Sequence, residues 1–388
     1  MEYDVLVAGA GLAGSTAARL LAEQNKTVLV VERLQHIAGH CFDYKNEYGI
    51  TIHKYGPHIF HTNMDRVWKF VGRFIRFRPY EHRVLSSVEN MLLPFPINRD
   101  TISRLFGVEL NENSVKAFLQ QEIKKARFSH PPKNFRDQVV SQVGERLYET
   151  FYKNYTIKQW QKNPKELSAE IATRIPVRSN SDDRYFSDTY QGIPLPGYAS
   201  LVEAMLSHPN ISLKLNTDFF AIEPHIKRNI TVFTGELDAY FKHKYGHLEY
   251  RSLDLRTETL HRERFQPVAV VNYPNDNAWT RITEFKHFSA EDSPYTTICY
   301  EYPKANGDPY YVVVNPENNR KREKYMADAD NLEKNGSCFF IGRLAEYKYY
   351  NMDQVIAEAF RKTDEILKTH NTNFQNTYTP QAPPHRRP

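Results

Sequence analysis

Residues 3–32 read YDVLVAGAGLAGSTAARLLAEQNKTVLVVE. The run 3–8 is short, apolar and ends in glycines. Residues 12–24 carry helical spacing through Leu12, Thr16, Leu20 and Glu23, and 27–32 is a second apolar run. Strand, turn, helix and strand in so short a span predict a βαβ unit, whose parallel strands need a right-handed crossover. Asn25 stands where the helix should stop and tolerates the left-handed conformation. The turn Gly9-Ala10-Gly11-Leu12-Ala13-Gly14 fits G-x-G-x-x-G. The first glycine permits the tight turn, the second lets backbone approach a pyrophosphate, and the third lets helix and strand pack closely. The helix start then offers unpaired N–H groups and the positive end of the dipole. Glu32 closes the second strand, placed to accept hydrogen bonds from the hydroxyls of an adenosine ribose. The glycine pattern alone is weak. With the strand, the helix and the distal acid around it, it predicts a dinucleotide site, the alternative being a purely structural turn.

The next residues bear on which dinucleotide. Arg33 follows the acid, and the chain runs on to Ala38-Gly39-His40. Flavoproteins of the glutathione-reductase type commonly carry Gly-Gly shortly after the acid; here the first glycine is replaced by Ala38. The motif begins within the first ten residues, as is usual in such flavoproteins, and no second G-x-G-x-x-G follows, so no separate NADPH domain is visible. FAD is expected, rather than NAD.

Outward from this stretch, residues 65–77 predict an amphipathic helix and 82–97 a hairpin closed by Pro94 and Pro96. From about 100 to 170 the pattern is helical, with Thr101 and Asn113 as caps and a dense aromatic run at 140–160. Residues 228–233, 268–272, 281–285, 295–302, 310–314 and 338–341 read as strands, and 353–368 as a last helix. The helical block lies between stretches of βαβ type, which predicts insertions into one nucleotide-binding domain.

The chain has 388 residues, with 51 basic and 46 acidic side chains giving a net charge of +5. The two signs are interspersed, so nucleic acid is not demanded and an anionic small substrate is compatible. The excess of 25 Tyr and 23 Phe suits a sugar or nucleotide site, though most of these rings should be core. Cys41, Cys299 and Cys338 are too scattered for a disulfide framework and form no CxxC pair, so no structural zinc is expected. No apolar run is long enough to insert in a membrane. The first strand begins by Tyr3 with no basic segment before it, so a cytoplasmic location is expected.

Residues 53–62, HKYGPHIFHT, hold three histidines around a Gly-Pro turn. Metal sites seldom take this form, and no metal is expected. The remaining readings are a loop of satisfied imidazoles or a loop lying against an isoalloxazine ring. This run is followed in order by PFPIN (94–98), YTIKQW (155–160), RIPVR (174–178), YFSDTYQGIP (185–194), LEYRSL (248–253), TRITEFKHF (280–288) and GRLAEYKYY (342–350). Together these resemble the bacterial UDP-galactopyranose mutases, over roughly residues 1–370.

The resemblance implies an α/β fold: an FAD-binding Rossmann-like domain with an inserted helical bundle and a twisted antiparallel sheet. Residues 1–78, 194–243 and 331–372 would form the discontinuous FAD-binding domain, and 99–172 the bundle with its substrate loop. Residues 79–98, 173–193 and 244–330 would form the sheet domain, and 373–388 a disordered tail. It further implies interconversion of UDP-galactopyranose and UDP-galactofuranose, with N5 of reduced FAD as nucleophile at the anomeric carbon. That chemistry is redox-neutral overall, needs an external reductant only to prime the flavin, and supplies galactofuranose for surface glycans. A homodimer is implied as well.

Mapped by motif, Arg174 and Arg281 resemble the arginines that hold the substrate pyrophosphate and stabilise departing UDP. Tyr155, Trp160 and Tyr185 match uridine-side and mobile-loop aromatics. Tyr311 and Tyr349 match tyrosines that approach the diphosphate, and Arg251 lines the site. His58 and His61 match a loop beside flavin and sugar, where either is suited to shuttle a proton. Gly9, Gly11, Leu12, Ala13, Gly14, Glu32, Arg33, Gly39, His40, Tyr55, Gly56, His58, Arg343, Tyr350 and Met352 are the expected cofactor contacts, the helix beginning near Met352 turning its positive end to the flavin. A lid over roughly 161–184 is expected to close on the UDP-sugar. Asn351 stands where the family commonly has Asp, and Trp279 replaces a more usual Tyr. The competing readings are an amine-oxidase-type flavoenzyme, an inactive relative, and activity on UDP-N-acetylgalactopyranose.

Overall fold

The structure is a computed structural model that describes residues 2–174 and 176–376, with all of their side chains except those of 173, 174 and 371–376. The chain divides into two compact units. The first comprises Met1–Gly39, Met205–Tyr240 and the chain from Tyr325 onward; the second comprises His40–Ala204 and Phe241–Lys324.

The first unit is built on a five-stranded parallel sheet. Val5–Ala8 (β1) runs into the helix Leu12–Glu23 (α1) and returns as Val28–Val31 (β2) beside β1. Both strands are wholly buried, as apolar runs covered on two faces must be. Asn25 takes the left-handed conformation past the helix end, with φ 59°. The sheet is completed by Ile211–Lys214 outside β2 and, on the other side of β1, by Ile230–Phe233 and Cys338–Phe340. The final helix, Met352–Asn376, packs on α1. It extends beyond the expected 353–368 and into the segment expected as a tail; residues 377–388 lie outside the described residues.

The second unit centres on a seven-stranded sheet, in the order Tyr311–Val312, Tyr250–Leu260, Thr296–Lys304, Arg281–Glu284, Val270–Asn272, Val84–Val88 and Met91–Phe95. Every neighbouring pair is antiparallel except Val270–Asn272 with Val84–Val88, which is parallel. The hairpin 84–95 turns on Glu89-Asn90, both at positive φ (48° and 61°), not on the prolines. Such a two-residue turn matches the strand twist. A smaller sheet pairs Tyr190–Leu195 with Phe60–Thr62 and Arg76–Pro79, so the expected helix 65–77 ends at Gly72 and the chain emerges as a strand.

Two helices of this unit are capped earlier than expected, by three residues and by two. Asn98, not Thr101, caps Arg99–Phe106, its side chain accepting from Thr101 N. Asn111, not Asn113, caps Glu112–Lys125 through a reciprocal capping box with Ser114. The aromatic run 140–160 breaks into Phe135–Val143, a π-helical turn Tyr148–Lys153 and the helix Asn154–Trp160.

Candidate active site

In the first unit the glycine turn has the form its chemistry requires. Gly9 sits at φ 104°, and a Cβ there would collide with Thr234 Oγ1. At Gly14 a Cβ would overlap the Gly9 carbonyl, so only glycine lets α1 approach β1 this closely. The N-cap of α1 is Gly11, and no side chain caps the helix, so its first N–H groups are left for an anion. Gly39 (φ 51°) packs its backbone against Gly11, where a Cβ would stand 3.2 Å from the Gly11 Cα. Ala38 beside it is buried at φ 69° and donates its N–H to Ala10 O. Leu12 and Ala13 begin α1 as buried residues. Glu32 is buried at the end of β2, its carboxylate accepting from Ala10 N (2.8 Å) and Leu34 N (2.9 Å). Each oxygen keeps lone-pair capacity for a ribose hydroxyl. These residues fit a dinucleotide: an uncapped helix start, close-approach glycines and a fixed acid. Arg33 is half exposed and pairs with Glu236 at 3.8 Å.

The same unit carries the segment 342–352. Arg343 donates through Nε (3.2 Å) and Nη2 (2.6 Å) to the Tyr350 carbonyl, and its guanidinium lies 5.1 Å from the Tyr349 ring centre. The Tyr350 hydroxyl donates to Glu346 (2.9 Å), a buried carboxyl that burial pushes up from its ordinary value. Asn351 donates its N–H to Gln354 Oε1, and Met352 opens the final helix.

In the second unit one helix and four strands bring Tyr155, Trp160, Arg251, Arg281 and Tyr311 together. The helix Asn154–Trp160 carries Tyr155 and Trp160. Arg281 begins its strand directly opposite Glu301, by register. Arg281 Nη2 donates to the Tyr155 hydroxyl at 2.6 Å, and its Nε lies 3.2 Å from Glu301 Oε1. Glu301 is buried at 3% exposure, whereas the Arg281 side chain as a whole keeps 24% of its surface open. Burial alone would lower the Arg281 pKa; the Glu301 carboxylate and the hydroxyls of Tyr155, Tyr311 and Tyr185 outweigh it and keep the group charged. Tyr311 stands opposite Arg251 in the adjoining strand pair, 6.5 Å from the buried Trp160 ring and edge-on to it. Arg251 donates to Gln159 O and Gln161 Oε1, both at 3.1 Å, while its buried Nη2 has no hydrogen-bond partner among the described residues. An orphaned guanidinium N–H costs free energy unless an acceptor arrives.

The histidine run divides by role. His53 is buried, accepts from His58 N at 3.0 Å, and is pushed down to about 3 by burial and then by His58, so it is a neutral core group. His58 Nδ1 faces the Gly56 carbonyl at 2.8 Å; since a carbonyl only accepts, Nδ1 carries the proton. His61 Nδ1 lies 2.7 Å from Asp188 Oδ2, and its ring stacks on Phe186 at 3.6 Å. This histidine–carboxylate pair fixes the tautomer and directs Nε2 away as the proton-accepting nitrogen. His40 stacks on Tyr310 at 4.9 Å, with Tyr55 tilted against both, and Gly56 takes φ 92°. Tyr185 meets Phe186 edge-on and His82 at 5.6 Å. Arg174 ends the short turn Ala169–Arg174, but its side chain lies outside the described residues.

Three residues of this cluster escaped the sequence: Glu301, His82 and Asp188. His82 is buried and pushed down to about 3, first by burial and then by Arg281 and His61, which makes it a neutral wall of the cluster. Glu301 left one signal, a carboxylate inside an otherwise buried strand, but its partner becomes visible only with the register. Asp188 sat within a quoted motif and had no partner until Phe60–Thr62 paired with Tyr190–Leu195.

A nucleotide-binding parallel sheet and a guanidinium–tyrosine cluster of this kind define a protein that handles a nucleotide-bearing anion. The comparisons with known proteins are more particular. Residues 7–74 match an NAD(P)-binding Rossmann-like domain, and residues 150–349 match UDP-galactopyranose mutase. The chain is 38% identical to a probable UDP-galactopyranose mutase of Klebsiella pneumoniae, over 94% of this chain and 95% of that one. It is 34% identical to a dTDP-fucopyranose mutase of Escherichia coli, over 94% and 98%. The fold of a crystal structure of reduced UDP-galactopyranose mutase superposes with a TM-score of 0.77 at 17% identity, covering 95% of this chain and 96% of that one. The chain belongs to the UDP-galactopyranose mutase family, and it is an isomerase. Among the described residues no helix is long and apolar enough to cross a membrane.

Proposed function

We propose that the protein interconverts UDP-galactopyranose and UDP-galactofuranose with FAD as its cofactor. The observation that carries this reading is Arg281, a partly exposed side chain whose guanidinium is held between buried Glu301 and the Tyr155 hydroxyl, within the stretch that matches the family. Reduced FAD, when bound, supplies the nucleophile for the anomeric carbon. This chain's residues do the rest. The α1 start, Gly39 and Glu32 bind the dinucleotide, helped by Arg33 and Arg343. Arg281, with Arg174, takes the diphosphate, where a planar fork matches the anion and offsets charge on departing UDP. Tyr155, Trp160, Tyr185 and Tyr311 wall the nucleotide, and Arg251 offers its unpaired N–H to an acceptor. His61 Nε2, oriented through Asp188, holds or moves a proton at a sugar hydroxyl, and His58 is the second candidate. An external reductant, a homodimer and a cytoplasmic site of action complete the proposal.

The test is product analysis on UDP-galactopyranose and, because of the fucopyranose-mutase relative, on dTDP-fucopyranose, each with and without dithionite. Galactofuranose product formed only after reduction is the expected result. Turnover confined to the dTDP-sugar would move the substrate, and peroxide release from an amine would replace the reading. Heating the purified protein should release FAD.

A further inference from the structure

Helix Asn154–Trp160 carries a third residue whose place in the cluster the sequence does not suggest. The Lys158 ammonium donates to three main-chain carbonyls of a single loop: Tyr273 O, Asn277 O at 2.9 Å and Trp279 O at 3.0 Å. An ammonium has three protons, and this arrangement uses all of them. The loop joins Val270–Asn272 to Arg281–Glu284 and closes on itself through Tyr273 N to Thr280 O (2.8 Å). Arg281 is the first residue after it. Two further hydrogen bonds tie the loop to the start of this helix and to the π-helical turn before it: Asn154 Nδ2 to Asn275 Oδ1 at 3.1 Å, and Asn275 Nδ2 to Thr150 O at 3.2 Å.

We propose that Lys158 is a positioning residue: by drawing the carbonyls of loop 273–280 onto the helix that bears Tyr155 and Trp160, it fixes where the Arg281 guanidinium stands, and tight UDP binding requires its charge. This rests on the reading that Arg281 receives the UDP diphosphate. Three carbonyl dipoles converging on one point repel one another unless a cation sits there, and charge-assisted bonds are about twice as strong as neutral ones. Burial pushes the Lys158 pKa down to about 8, opposed by Asp276 of the loop. The other charged or titratable groups on the two elements do not replace it. Lys153 on the helical turn before it is paired with Glu149 at 2.8 Å, and burial raises the Tyr273 hydroxyl so that it stays neutral. A neutral amine keeps two protons and no charge, so the clamp is whole below pH about 8 and weakens above it.

The experiment is UDP titration of the FAD-containing protein from about pH 7 to about pH 9, below the ionisation of the uracil ring itself, on wild type, Lys158→Met, Lys158→Arg and Arg281→Ala, with FAD content and the thermal midpoint followed in parallel. Wild type should lose about tenfold in UDP affinity across the range. Lys158→Met should bind UDP about tenfold or more weakly at neutral pH, with a flat profile, while Lys158→Arg retains affinity and loses the alkaline decline. Wild-type UDP affinity in Lys158→Met, or an alkaline decline that survives there, overturns the inference. If that variant does not fold, Lys158→Gln, which keeps a hydrogen-bond donor but no charge, takes its place, and wild-type UDP affinity in it overturns the inference equally. Unchanged UDP binding in Arg281→Ala would instead overturn the site reading beneath it.

Discussion

Arg281 and Glu301 are coupled in a way that separates binding from stability. Arg281→Ala removes the charge-assisted contact to a phosphate, so UDP affinity should fall by about 30-fold or more. It also strands Glu301, 3% exposed, without its cation, and breaking such a pair costs about 3–5 kcal/mol. The double variant Arg281→Ala/Glu301→Gln should therefore regain most of the lost stability in a denaturant melt, yet still fail to bind UDP in a titration. Recovery of both together would mean that the arginine has a structural role only. The loop after β2 sets a second residue-scale contrast. Ala38→Gly relieves a left-handed strain of about 1 kcal/mol but removes a buried methyl worth a similar amount, so the melting behaviour should barely change. Gly39→Ala has no such offset, because its Cβ would press on Gly11; FAD retained after gel filtration should drop. The glycine turn and Glu32 were legible because their chemistry is local. The Arg281–Glu301 pair was not, because twenty residues of chain separate partners that only strand register joins.

At the scale of elements, the segment expected to close over substrate is not uniform. Its later part is pinned: Arg178 N donates to Ile97 O and Arg99 N to Asn180 O, both at 3.0 Å, while Arg83 Nε pairs with Asp183 at 2.9 Å. Its earlier part consists of two short 3-10 turns, Pro164–Glu166 and Ala169–Arg174, tied at fewer points, chiefly by Phe135 N donating to Leu167 O at 2.9 Å. Amide exchange should therefore slow on saturation with UDP across 163–172 and stay unchanged across 178–184. Equal protection of both stretches would extend the lid to its expected limits. The cap positions carry a second expectation. Asn98 is fully buried, accepts from Thr101 N at 2.9 Å and reaches toward the carbonyls of Ser181 and Asp182, so Asn98→Ala should cost about 1–2 kcal/mol by denaturant melting. Thr101→Ala should cost less than that, since it removes the capped residue's hydroxyl and leaves the cap. Asn98 was overlooked in the sequence because it ends PFPIN, a stretch that reads as strand and turn, and a cap declares itself only once the helix start is placed.

For the molecule as a whole, the parallel sheet of the first unit was readable in its opening βαβ and in its later apolar runs, but not in its order. The mixed sheet of the second unit was readable only as a set of strands. Its parallel pair, Val84–Val88 with Val270–Asn272, joins segments no local pattern connects. Acid behaviour follows from a buried group in that sheet. Burial alone would raise the Glu284 pKa, but hydrogen bonds from His287, Thr296 and the N–H groups of Gln266 and Phe265 outweigh it and hold it at about 2, against an ordinary 4.5. A carboxylate depressed in this way stabilises the fold fully above pH 4.5, by on the order of 3 kcal/mol, and the contribution is lost as pH falls toward 2. Glu284→Gln should flatten the fall in stability across that window in a pH series of denaturant melts.

The five parallel strands are drawn from residues 5–8, 28–31, 211–214, 230–233 and 338–340, so the glycine turn is made long before its sheet is finished. Cys338–Phe340 can pair with Ile230–Phe233 only after all the intervening chain has been made, and pairings this distant in sequence are slow to close. During synthesis the glycine turn, with its local partner strand, exists before the strand that completes its sheet. A dinucleotide seated on that turn would therefore meet a finished sheet only once the segment ending at Phe340 has been made.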